Sequence, residues 1–124
     1  MEIKKMLVTQ ESFELTTEAI ENLNENKIKV LVCPRNGKEL LKQIAEQKPD
    51  FVVLDLLLYE LDALEVVAKV KASGLNPLPK FILASAVESD VLFKKAKSFG
   101  VNDYLIKPFT IDSLLDTVIE KVSA

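Results

Sequence analysis

The chain has no histidine and no tryptophan, and its single cysteine is Cys33. The absence of histidine removes the side chain that most often acts as a general base near neutral pH and most often ligates a metal. Any metal is therefore expected to be a hard cation held by oxygen atoms. One cysteine excludes an internal disulfide, which fits a reducing compartment. We expect Cys33 to be a small packing residue rather than a reactive thiol.

Long apolar runs and an excess of positive charge are also missing. No run approaches the roughly 20 residues that span a bilayer, and the N-terminus has no secretory signal. The formal net charge of −3 argues against binding of nucleic acid by this domain alone. We therefore expect a cytoplasmic protein without membrane contact. With 48% hydrophobic and 28% charged residues, residues 1–124 are expected to form a single domain with a substantial core.

The chain does have a regular alternation of strand-like and helix-like segments. The apolar run 51–55 ends in Asp55, and its continuous apolarity predicts a central strand of a parallel sheet. Segment 27–32 begins with alternating polar and apolar residues, as an edge strand does. Five strand–helix pairs predict a three-layer, doubly wound α/β fold of the flavodoxin-like (βα)5 type, with strand order 2-1-3-4-5. The remaining strands are predicted at 6–9, 81–84 and 103–106, the first helix at an N-cap Ser12, and the end of the last helix at Val122.

Polar side chains follow the predicted strands at one edge of this sheet. Because the first and third strands are neighbours, Glu11 and Asp55 would face each other, with Gln10 beside them. Two close carboxylates repel unless a cation intervenes, and Mg²⁺ with water and a backbone carbonyl would satisfy them. Ser85 and Lys107 would complete a pocket for a phosphoryl group, with Asp55 as the nucleophile. Each residue alone could be a helix cap or a solvated charge, but their joint placement favours a site.

With these residues the chain resembles the receiver domains of bacterial response regulators, the CheY-like superfamily, over essentially its whole length. The resemblance carries Asp55 onto the phosphoacceptor position, Ser85 onto the switch hydroxyl and Tyr104 onto the rotating aromatic of the last strand. Lys107-Pro108-Phe109 resembles the Lys-Pro-Phe element, which implies a cis peptide bond before Pro108. The metal ligands that the resemblance implies are Glu11, Asp55, the carbonyl oxygen of Leu57 and, through a water, Gln10.

The resemblance implies a function in phosphorelay signal transduction. A histidine kinase or a histidine phosphotransfer protein would hand a phosphoryl group to Asp55 with help from Mg²⁺, without enzymatic activity beyond self-catalysed transfer and autodephosphorylation. Ser85 would then move towards the phosphate and Tyr104 would turn inward. The surface of the fourth helix, fifth strand and fifth helix would change and bind a partner or a second receiver. The Asn36-Gly37 turn and the segment 107–114 are similar to those of the sporulation master-regulator receivers.

Departures from the family pattern keep other functions open. The family has two adjacent acids where this chain has Gln10 and Glu11, and Met-Pro and a glycine where it has Leu58-Tyr59 and Ala63. One charge fewer predicts weak Mg²⁺ binding. These changes favour the alternative of a pseudo-receiver, a protein-interaction module that works without phosphorylation. A flavin-binding electron carrier would share the strand order, but Glu11 would repel its phosphate.

Overall fold

A computed structural model describes residues 2–121, in which strands and helices alternate. The strands are β1 (Lys4–Thr9), β2 (Ile28–Cys33), β3 (Phe51–Asp55), β4 (Lys80–Ser85) and β5 (Asp103–Ile106). The helices are α1 (Thr17–Glu25), α2 (Gly37–Gln47), α3 (Ala63–Ala72), α4 (Asp90–Phe99) and α5 (Ile111–Asp116), followed by a π-helical turn, Thr117–Lys121. Within residues 2–121, the helices all fall short of the length and apolarity needed to cross a membrane.

The strands form one parallel sheet in the order β2-β1-β3-β4-β5, which confirms the predicted topology. β1 lies between β2 and β3, with Met6 opposite Val30 on one side and Phe51 on the other. Every residue of β3 is buried, as expected of a strand that helices cover on both faces. β2 lies at the edge and buries only its first and last residues, Ile28 and Cys33.

The central strands supply two apolar cores, one on each face of the sheet. Leu7, Val52 and Leu83 pack into one core, while Met6 and Val53 pack into the other. Successive side chains of a strand point to opposite faces, so each continuously apolar strand contributes to both cores. Burial on both faces fixes the register of the central strands, and their carboxyl ends therefore meet at one edge.

The predicted N-cap of the first helix is wrong. The cap of α1 is Thr16, whose Oγ1 accepts a hydrogen bond from the N–H of Ala19 at 3.0 Å. The Ser12 hydroxyl instead donates to the carbonyl oxygen of Thr9 at 2.7 Å. It closes a turn in which Glu11 has a φ of 66°. Ser12 is thus a hydrogen-bond donor within the loop after β1, and its side chain does not cap α1.

The last helix is not the uniform amphipathic helix that the apolar spacing predicts. α5 ends at Asp116, and the chain continues as the π-helical turn, in which hydrogen bonds reach five residues along instead of four. Leu114 and Val118 nevertheless pack into the same core. The wider turn therefore leaves the apolar stripe intact. For this reason the spacing of apolar residues in the sequence does not predict the π-helical turn. The predicted end at Val122 lies outside the described residues.

Cys33, at the end of β2, is fully buried. Burial raises the pKa of its thiol from 9.0 to about 11, and the nearby Glu39 carboxylate adds to the rise. Between these values the folded protein keeps a proton that the unfolded chain loses, so the stability contributed by the thiol falls as the pH rises.

We expect the free energy of unfolding to fall by about 2 kcal/mol more between pH 9 and pH 11 in the wild type than in Cys33→Ala. Urea unfolding of both proteins across this range measures the difference. All other titratable groups are common to both proteins, so their contributions cancel in the difference. Equal slopes for the two proteins would contradict the assignment.

Candidate functional site

Asp55 lies at the carboxyl end of β3, and only 3% of it is exposed. Its Oδ1 accepts a hydrogen bond from the N–H of Leu57 at 2.8 Å, and its own N–H donates to Thr9 Oγ1 at 3.0 Å. Across residues 2–121 it is the only charged residue that is buried. A buried carboxylate is costly unless it is paired and hydrogen-bonded, so its partner decides whether the site can hold a charge.

Lys107 is that partner. Its Nζ forms an ion pair with Asp55 Oδ2 and donates to the main-chain oxygen of Glu11 at 2.7 Å. The N–H of Lys107 donates to the carbonyl oxygen of Ser85 at 2.8 Å, and the peptide bond to Pro108 is cis, as the resemblance implied. The structure thus brings Asp55, Lys107, Ser85 and the main chain of Glu11 together at one edge of the sheet.

The two predicted switch residues are linked through Val87. Ser85 Oγ accepts a hydrogen bond from the Val87 N–H at 3.0 Å, and the Tyr104 hydroxyl donates to the Val87 carbonyl oxygen at 2.5 Å. Tyr104 is buried, and its ring stacks on Phe93 with 5.4 Å between centroids. Tyr104 therefore already lies inward, an orientation that the resemblance placed after phosphorylation.

The Glu11 and Gln10 side chains are both exposed. The Glu11 side chain is 70% exposed, and its carboxylate forms an ion pair with Arg35. Gln10 has an exposed side chain, and its N–H donates to the carbonyl oxygen of Cys33 at 2.9 Å. On this side of the site, the Glu11 carboxylate is therefore paired with a guanidinium.

Sequence reasoning misses Arg35, although it is the only arginine in the chain. Its Nε donates to the carbonyl oxygen of Leu57 at 2.8 Å, and its Nη1 donates to Glu11 Oε2. The guanidinium carbon lies 5.8 Å from the centre of the Tyr59 ring. Tyr59, one of the departures from the family pattern, is exposed, and the guanidinium lies over the face of its ring.

The oxygens that the resemblance assigns to Mg²⁺ are of the right chemical kind but already have partners. Carboxylate and carbonyl oxygens are the donors that Mg²⁺ prefers. Arg35 contacts those of Glu11 and Leu57, and Lys107 contacts that of Asp55. In the part of the chain that is described, no three carboxylate or thiol side chains group into a metal site. A bound ion would therefore depend on the main-chain oxygen and on water as well.

Comparison with known proteins shows to which family the chain belongs. The family model for the response regulator receiver domain matches residues 6–119. The chemotaxis protein CheY of Listeria monocytogenes is 30% identical over 92% of this chain and 94% of its own length. The transcriptional regulatory protein CrdR of Helicobacter pylori is 28% identical over 90% of this chain and 51% of its own length.

Solved structures show the same fold. The signal receiver domain of a Luxo repressor protein from Vibrio parahaemolyticus matches with a TM-score of 0.82 at 21% identity, over 98% of this chain and 91% of that one. The similarity to the sporulation receivers stays a prediction, because these relatives do not bear on it. The matched family spans nearly all of the five-stranded sheet, including the edge where Asp55 and Lys107 meet. The chain therefore belongs to the response regulator receiver domains, the phosphate-accepting signalling domains of two-component systems.

Proposed function

We propose that Asp55 is the phosphoacceptor and that residues 1–124 work as one cytoplasmic receiver domain. The ion pair between Asp55 and Lys107 at the carboxyl edge of the sheet carries this proposal. It gives the buried carboxylate a partner of opposite charge in a position where an unpaired charge would be costly. It also places an ammonium group where negative charge would arrive with a phosphoryl group. The donor would be a histidine kinase or a histidine phosphotransfer protein.

In the proposed reaction, a carboxylate oxygen of Asp55 forms a bond to phosphorus while the bond from phosphorus to the donor's histidine nitrogen breaks. The electron pair of the broken bond stays on that nitrogen. Lys107 neutralises part of the charge on the phosphoryl oxygens during transfer. The Leu57 N–H, 2.8 Å from Oδ1, holds the carboxylate in a fixed orientation. The chain thereby catalyses only its own modification and, at most, its own dephosphorylation.

Receiver domains generally bind Mg²⁺ at their phosphorylation site, and we propose weak binding here. Asp55, Glu11 and the carbonyl oxygen of Leu57 would hold the ion, with Gln10 acting through a water. When bound, Mg²⁺ supplies positive charge that stabilises the transferring phosphoryl group. Gln10 adds no negative charge to this set, which lowers the expected affinity relative to a site with two adjacent acids.

The proposed output surface is formed by α4, β5 and α5. Val91 on α4 and Ile106 on β5 are exposed there, and Val87 is exposed in the loop before α4. Because Ser85 and Tyr104 are both bonded to Val87, a movement of Ser85 towards a phosphate would disturb the approach to α4. We propose that this α4-β5-α5 surface binds an output partner or a second copy of the chain. With a net charge of −3, the domain would regulate transcription through such a partner and not by holding DNA itself.

Incubation with acetyl phosphate and Mg²⁺ is expected to add one phosphoryl group to the wild-type protein and none to Asp55→Asn. Intact-mass spectrometry measures the shift directly. Asp112→Asn, a change at an exposed position in the first turn of α5, is a matched control that should behave as the wild type. The absence of a shift in the wild type at every Mg²⁺ concentration would contradict the proposal.

A pseudo-receiver is the second candidate, and the contacts of Arg35 favour it. A guanidinium bonded to Glu11 and Leu57 supplies permanently part of the positive charge that a metal would bring. Such a domain would present one fixed α4-β5-α5 surface, consistent with the inward position of Tyr104. It would show no mass shift with acetyl phosphate, yet it would still fold and bind its partner.

A further inference from the structure

Arg35 joins the two loops whose oxygens are expected to hold the metal. It lies between β2 and α2, and its side chain reaches Glu11 after β1 and Leu57 after β3. Guanidinium groups suit such bridging because their N–H groups are fixed in one plane and point in several directions. One side chain therefore connects both groups of oxygen donors that flank Asp55 on this side of the site.

The backbone holds Arg35 in place independently of its side chain. Asn36 and Tyr59 form an isolated parallel bridge between the β2–α2 and β3–α3 loops. The Tyr59 N–H donates to the Arg35 carbonyl oxygen at 3.1 Å, and the Gly37 N–H donates to the Tyr59 carbonyl oxygen at 2.9 Å. The base of the arginine side chain thus keeps a constant distance from the loop that carries Leu57.

The side-chain contacts of Arg35 reinforce one another. An exposed ion pair alone contributes little to stability, and the Glu11 side chain is largely exposed. The Arg35 side chain, however, is only 25% exposed. It also donates to the Leu57 carbonyl oxygen and lies over the Tyr59 ring. All of these contacts are made by one planar guanidinium group. The conformational freedom of the Arg35 side chain is therefore lost only once for all of them.

We propose that Arg35 is a built-in cation that competes with Mg²⁺ for the oxygens of Glu11 and Leu57. This inference rests on the proposed function in so far as that function places Mg²⁺ beside Asp55. A divalent ion that coordinates these oxygens must either displace the guanidinium or lie next to it. Both alternatives are unfavourable, since displacement breaks the two hydrogen bonds and adjacency sets like charges against each other. Arg35 therefore weakens metal binding beyond the effect of Gln10.

Replacing Arg35 is expected to strengthen Mg²⁺ binding, and calorimetric titration of the apo proteins measures this without reference to phosphorylation. Arg35→Gln removes the charge and should lower the Kd for Mg²⁺ by about tenfold. Amide chemical shifts of Leu57 during the same titration should respond at lower Mg²⁺ in Arg35→Gln than in the wild type. Circular dichroism shows whether the variant remains folded, as its partly exposed position leads us to expect.

Two further variants separate bridging from simple charge. Lys38→Gln removes one positive charge at an exposed position in α2, and its Kd should stay within about twofold of the wild type because the charge of a solvent-exposed side chain is screened. Arg35→Lys keeps the charge but cannot form the same planar bridge. If bridging is the cause, its Kd should fall between those of the wild type and Arg35→Gln.

The results distinguish this inference from the proposed function. An unchanged Kd in folded Arg35→Gln, or an equal gain in Lys38→Gln, would overturn the competition, whatever acetyl phosphate does. A tenfold gain in affinity upholds it, even if Asp55 accepts no phosphoryl group in either protein. In that case the proposed role of Asp55 as phosphoacceptor would be wrong, while the competition between Arg35 and Mg²⁺ would stand.

Discussion

Lys107→Met is expected to slow phosphorylation of Asp55 by about two to three orders of magnitude, the typical effect of removing one charge-stabilising donor from a reacting centre. The Nζ of Lys107 contacts Asp55 Oδ2 and the main-chain oxygen of Glu11, so no other cation in these contacts can take its place. Methionine keeps the length and most of the apolar contact of the lysine stem. The initial rate of mass shift with acetyl phosphate at saturating Mg²⁺ measures the effect.

The same substitution should also lower the free energy of unfolding. Breaking a fully buried ion pair by removing one partner costs roughly 3–5 kcal/mol. The Lys107 side chain is 25% exposed, so screening reduces the expected loss to about 2 kcal/mol. Lys42→Met, at an exposed position on α2, is the matched control and should change neither the rate nor the stability.

A double-mutant cycle with Asp55→Asn tests whether the loss comes from the pair. If it does, the stability lost in Lys107→Met should be partly recovered in Asp55→Asn/Lys107→Met, because no charge then remains buried without a partner. Losses that simply add would show that Asp55 and Lys107 do not interact in solution. A phosphorylation rate unchanged in Lys107→Met would contradict the role assigned to Lys107.

The sheet could be predicted from the sequence because its strands carry a strong and redundant signal. The run from Phe51 to Asp55 is apolar on both faces, and only a central parallel strand buries such a run completely. Once that strand is placed, the strand order follows from few alternatives. The convergence of Asp55 and Lys107 then follows from topology alone, since parallel strands end at the same edge.

Local conformation was harder to predict from the sequence, because it depends on which hydrogen bond a side chain makes. Ser12 and Thr16 are both good cap residues by type, and only the turn after β1 decides between them. The bridge by Arg35 depends on two loops whose pairing leaves no periodic pattern in the sequence. A lone arginine was visible in the composition, but its partners lie 22 and 24 residues away along the chain.

The β2–α2 and β3–α3 loops lie so close together that we expect Gly37→Ala to destabilise the protein strongly, although it adds only one methyl group. A Cβ on Gly37 would lie 2.0 Å from the carbonyl oxygen of Leu61 and 2.7 Å from its Cβ. The oxygen belongs to the backbone and cannot rotate away, so α2 or the β3–α3 loop must move. We expect a loss of about 3 kcal/mol or more in the free energy of unfolding, at the upper end for overpacking, measured by urea unfolding.

Gly74→Ala separates this close approach from the conformational preference of glycine. Gly74 has a φ of 82°, but a Cβ there would meet no atom within 4 Å, so only left-handed backbone strain of about 1 kcal/mol is expected. Gly37 is in helical conformation and suffers only the contact. Because the Gly37 N–H helps hold the bridge to Tyr59, its substitution should also release Arg35 and shift the Leu57 amide resonance. If Gly37→Ala is no less stable than Gly74→Ala, then the two loops are not as tightly apposed as their contacts require.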